Sequence, residues 1–158
     1  MPTPWPTYLD FCGTTTMPRQ QGDPAFAAEE RLYRSLSDDW IDVNGLVTGD
    51  AIDLQATSVD RGLFVTDPAE CLTGDKAHFT RVAVIKFCDI PDRFESPPAQ
   101  PYESVVVYDP DPAIDRDPHS EIRFHRPGAA KASKPSSDTM KSEIKDRLAE
   151  RLQVVYRR

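Results

Sequence analysis

Apolar and polar positions alternate along only a few stretches of this chain, and those stretches predict its sheet. Ser104 to Tyr108 holds three consecutive valines and a tyrosine; side chains that are β-branched or aromatic at this density mark a strand buried on both faces. A loop with three prolines and four aspartates follows, from Asp109 to Pro118, since proline supplies no ladder donor and aspartate favours turns. The chain then alternates again over 120–125, with Ile122 and Phe124 on one face and Glu121, Arg123 and His125 on the other. Pairing of these two strands puts Glu121 and His119 at the mouth of the acidic loop, where chemistry is expected.

Residues 79–87 alternate as a further strand, expected to form the heart of the sheet with 104–108. Residues 31–36 alternate Leu32, Arg34 and Leu36 against Tyr33 and Ser35, and 62–65 predict a short strand. After it, Thr66 or Asp67 caps a turn that opens at Pro68, carries Glu70 and ends at Gly74. Asp23 and Pro24 predict a helix start running into AFAAEERL. A second helix is predicted over 137–151, capped by Ser136 or Ser137. There Met140, Ile144 and Leu148 form an apolar stripe, and Glu143 and Arg147 an i,i+4 pair. The alternation from Leu152 to Tyr156 predicts an edge strand guarded by basic residues. Residues 37–56 read as a long, partly ordered loop.

These elements predict one α+β domain over 25–158. Its sheet is mixed and mostly antiparallel, built from 31–36, 62–65, 79–87, 104–108 and 120–125, with the C-terminal helix docked on it. Residues 1–24, with five prolines and two glycines, predict an arm whose Trp5, Tyr8, Leu9 and Phe11 lie over the domain or against a partner. A length of 158 residues suits a single core. No long apolar run and no basic, then apolar leader occurs, so a cytoplasmic protein with no membrane association is expected.

Charge divides the chain. Residues 1–118 carry 21 acidic and 9 basic side chains, a balance of −12, whereas residues 119–158 carry 5 and 10, a balance of +5. An acidic body repels phosphates, so nucleic acid could be held only by the basic C-terminal tail. Three cysteines with no C-x-x-C spacing argue for free, buried thiols rather than a disulfide framework or a zinc site. The four aspartates of the loop lack the glycine and glutamate of an EF-hand, and no metal ligand is assigned. No P-loop, G-x-G-x-x-G, H-E-x-x-H or G-x-S-x-G motif is present.

Arg34 on an early strand, Ser58 at the start of Ser-Val-Asp-Arg, and Glu121 on a late strand resemble, in order and element type, the Arg, Ser, Glu triad of the ADP-ribosyltransferase fold. The resemblance implies NAD as cofactor, with Arg34 holding a phosphate and Ser58 orienting the nicotinamide ribose strand. Glu121 would stabilise the oxocarbenium-like centre, with His119 two residues before it. RLYRSLSDDWI, SVDR, DPAECL, VVVYDPDP, HSEIRF and the closing helix also resemble an uncharacterised family of small bacterial proteins, which implies a bacterial single domain. Without a strong catalytic motif, the leading expectation is a binding or accessory module within a protein assembly. Its partner would be another protein or a second copy of the chain. The alternative is an NAD-consuming enzyme.

Overall fold

A computed structural model describes residues 17–158. One mixed, mostly antiparallel sheet organises them. Its strands are β1 (Arg19–Gln21), β2 (Arg31–Leu36), β3 (Ala56–Arg61), β4 (Arg81–Lys86), β5 (Arg93–Phe94), β6 (Tyr102–Tyr108), β7 (His119–His125) and β8 (Gln153–Arg157), and one helix, α1 (Asp138–Ala149), packs on it. The order across the sheet is β1-β6-β7-β3-β2-β4-β8, with β5 added on β6. Only the β1–β6 pair is parallel. The α+β reading therefore holds, with the C-terminal helix where its stripe predicted.

Strand register sorts the side chains into two faces. Leu32 lies opposite Arg61 and Ile85, Thr57 opposite Ile122, and Val106 opposite Ile122. These residues, with Leu36, Val59, Ala83 and Phe124, make one face, and α1 covers it with Met140, Ile144 and Leu148, all fully buried. Burying one such side chain contributes roughly 1.5–3 kcal/mol, so this face holds the fold together. The helix starts at Ser137, whose hydroxyl accepts from the Met140 amide, and Glu143 pairs with Arg147 at 3.5 Å.

The other face is apolar over β2 and β4 and at Val105 and Val107 of β6. On β2 and β4, Tyr33 and Val82 pack under Cys71 and Leu72 of the 3-10 turn Pro68–Leu72. That turn begins as expected: the Asp67 carboxylate accepts from the Ala69 amide, and the Glu70 carboxylate accepts from the Asp67 amide at 3.2 Å.

Several expectations are corrected. The third strand is Ala56–Arg61, and Gly62–Val65 is the turn after it. Pairing on both sides, with β2 and β7, selects a segment whose Asp60 and Arg61 weakened the apolar signal. Gly62 is required where it stands, because a Cβ there would lie 2.6 Å from the Arg31 carbonyl oxygen. Strands β4 and β6 have three strands between them, and the middle of the sheet is β3. Gly74 opens a second 3-10 turn, Gly74–Lys76, and does not simply end the first.

No helix forms after Pro24. The carbonyls of Pro24 and Ala25 accept from the guanidinium of Arg61, and the side-chain amide of Gln20 bonds both backbone groups of Phe26, so the segment wraps a buried cation. Within the expected arm, Arg19–Gln21 joins the sheet as β1; Trp5, Tyr8, Leu9, Phe11 and Cys12 lie outside the described residues. Cys71 is the buried free thiol foreseen, but Cys88 is disulfide-bonded. An odd cysteine count suits one bridge and one free thiol as well as three free ones. The edge strand at the C-terminus is present as β8, with a bulge opposite Val82 and Ala83.

Candidate functional site

Register also builds the site. Asp109 continues β6 for one residue, its amide donating to the His119 carbonyl at 3.1 Å, while His119 lies opposite Asp60 and Glu121 opposite Ser58. Cross-strand partners share a face. Asp109, His119 and Asp60 therefore form one row across three strands, and Val107, Glu121 and Ser58 form the next. The first row is the floor of a cleft of about 650 Å³, and the second row lies beside it. One wall is the turn region carrying Glu70, Cys71 and Lys76, and the other is the loop with Asp111 and Asp117.

The loop holds its shape through its own carboxylates. Asp117 accepts from the amides of Asp111 (2.7 Å) and His119 (3.3 Å), and Asp111 accepts from the Ala113 amide. Tyr108 donates its hydroxyl to the Asp117 carbonyl, and Asp60 takes both oxygens to Lys76 at 3.2 and 3.1 Å. These acids are occupied. Cys71 is chemically quiet too: burial first, then the neighbouring Asp60 carboxylate, raises its thiol pKa far above that of a free cysteine.

What converges is a mixed set. One donor atom from each of Asp109, His119 and Glu121 lies within 4.8 Å of the other two. Glu121 divides its oxygens: Oε1 accepts from Arg123 Nε at 2.8 Å, and Oε2 faces His119 Nε2 at 3.6 Å. Arg123 also reaches Asp109 at 3.8 Å. The guanidinium thus neutralises the acids from one side and aims Glu121 Oε2 at the imidazole on the other. Ligands of one first-row metal ion, each about 2.0–2.2 Å from it, sit within about 4.4 Å of each other. Ligands of a tetrahedral ion sit closer, about 3.3–3.6 Å apart, so Asp109, His119 and Glu121 would have to draw together to share one.

Arg34 is not part of this group. It shares a face with Leu32 and Leu36, beneath α1, opposite the face of Ser58 and Glu121. Its Nε and one terminal nitrogen donate to the Ala51 carbonyl at 3.1 and 2.8 Å, the other to the Ser58 carbonyl at 3.0 Å, and the guanidinium lies over Trp40 at 5.3 Å. The structure therefore pairs Ser58 with Glu121 beside His119, while Arg34 reaches Ser58 only at its backbone carbonyl, from the helix-covered face. Sequence reasoning placed His119 and Glu121 at the loop mouth correctly. It put Arg123 on the face of Glu121 without giving it a role, and it missed Asp109, which the pairing of β6 with β7 sets opposite His119.

No known protein family, curated protein or solved structure matches this chain. Both resemblances rest on the sequence motifs alone. No helix among the described residues is long and apolar enough to cross a membrane.

Proposed function

We propose that the protein is a binding module that takes a first-row divalent cation at Asp109, His119 and Glu121 and, through it, an oxygen- or nitrogen-donor ligand entering the cleft. The observation that carries this reading is the convergence of one imidazole and two carboxylate donors at the edge of an open cavity. This donor set suits Zn2+ or Mn2+ better than Ca2+, whose ligands are all oxygens. Three protein donors leave coordination positions for the ligand. Arg123 is the resident counter-charge without the metal and the group that orients Glu121 with it. Binding rather than turnover is favoured because the cleft's thiol is held protonated and Asp60, Asp111 and Asp117 are tied to Lys76 and to backbone amides.

The NAD-consuming alternative draws support only from the pairing of Ser58 with Glu121. It lacks a phosphate-holding Arg34 on that side of the sheet, so the cation reading is preferred.

The test is thermal melting and calorimetric titration with Zn2+ and Mn2+. A ligand present at about 100 times its Kd stabilises by about 2.7 kcal/mol, a clear rise in Tm. Glu121→Gln and His119→Ala are expected to abolish both the rise and the heat. Affinity is expected to fall on acidification, since the imidazole must be unprotonated to bind. No response of the native chain to either ion, or an equal response of both variants, overturns the reading.

A further inference from the structure

Two surface features at opposite ends of β2 complement each other. Beyond its C-terminal end, Asp42 to Leu46 forms a hairpin tip closed by the Ile41–Val47 bridge. The Asp42 carboxylate accepts from the amides of Asn44 (2.8 Å) and Leu46 (3.0 Å), the Asp42 amide donates to the Leu46 carbonyl (2.9 Å), and Gly45 takes φ +80°. Val47 anchors the tip in the main core. This fixed tip displays apolar side chains: Val43 is 101% exposed and Leu46 63%. Residues 37–55 around it contain five aspartates and no lysine or arginine.

At the other end of β2, on the cleft face, lies a groove of about 470 Å³. Tyr33, Val84 and Val155 give it an apolar floor, and Arg31, Lys86 and Arg151 stand around it with Asp89 the one acid. Val155, 45% exposed, sits where the bulge in β8 leaves it outside the ladder register.

We propose that the occupant of this groove is the 42–46 tip of a second copy of the chain. An apolar point in a segment whose charged side chains are all acidic meets an apolar floor bordered by three cations, of which Lys86 pairs with Glu29 at 3.6 Å. The apolar parts therefore match, and the charges of the two segments are of opposite sign. The tip is already ordered by its own hydrogen bonds, so little conformational freedom is lost on docking. Tip and groove lie at opposite ends of a six-residue strand, roughly 15–20 Å apart at about 3.3 Å per residue, so a chain cannot fill its own groove. The contact is head-to-tail and continues from copy to copy until a ring closes. It shares no residue with the cation site and stands or falls separately from it.

Sedimentation velocity of the full chain, from micromolar to millimolar concentration at low salt, reads the prediction. The native chain is expected to sediment faster as concentration rises, and added salt to weaken the effect by screening the rims. Two doubly substituted chains, Val43→Asp with Leu46→Asp and Arg31→Glu with Val155→Asp, alter only exposed positions, and circular dichroism checks that each folds. Each alone is expected to stay monomeric. Their equimolar mixture is expected to form a dimer and nothing larger, because one intact tip meets one intact groove. A native chain that is monomeric throughout, variants that associate as the native chain does, or a mixture that stays monomeric overturns the proposal.

Discussion

The two faces of the sheet contain the same kinds of charged side chain and use them in opposite ways. On the helix-covered face, Arg61 is fully buried, held by both Glu30 oxygens at 2.7 Å and lying 4.0 Å over the Phe26 ring, while Arg34 gives its donors to carbonyls. On the cleft face, Arg123, Glu121, His119 and Asp109 neutralise one another at partly exposed positions and leave a side open to solvent. A charge with every bond satisfied inside the protein is a structural part. One whose partners are other titratable groups beside a cavity is available to a ligand.

Substitutions that break the dry face should have the largest effects. Val106→Asp places a carboxylate among Ile122, Phe124 and the α1 stripe, at a cost of several kcal/mol without a partner, comparable to a whole stability of about 5–15 kcal/mol. Loss of the cooperative melting transition is the expected result. Arg61→Leu comes next: it leaves Glu30, whose side chain is 8% exposed, as an uncompensated buried charge, which costs about 3–5 kcal/mol, read as a drop in the urea midpoint. Glu121→Gln on the cleft face should change stability by only about 1 kcal/mol, the upper end for solvent-accessible ion pairs, while removing the response to Zn2+ and Mn2+. Equal destabilisation by the Arg61 and Glu121 substitutions would erase the contrast between the faces.

The smallest effect concerns reactivity. With its pKa raised by burial and by Asp60, Cys71 carries less thiolate at pH 8 than a free cysteine does. Alkylation by iodoacetamide in the folded protein should be slow, and unfolding should restore the ordinary rate. Rapid alkylation of the native protein would show that the wall of the cleft opens.

Local pattern by itself determined the elements whose signal lies within a few residues. The valine run of β6, the alternation of β2, β4 and β7, the α1 stripe and the Asp67–Glu70 capping box needed no distant partner to be recognised. So did the position of His119 and Glu121 beside the acidic loop, because a proline-broken connection between two strands places its ends together. Tertiary structure alone decided the rest. Ala56–Arg61 is a strand because β2 and β7 flank it, and residues 24–30 are not a helix because their carbonyls have a better partner in a buried guanidinium. Arg34 and Glu121 are separated, and Asp109 is joined to His119, by register. A side chain's face follows from parity within its own strand, but its neighbours follow from which strand lies alongside and at what offset, and those pairings join residues as far apart in sequence as Arg19 and Val105.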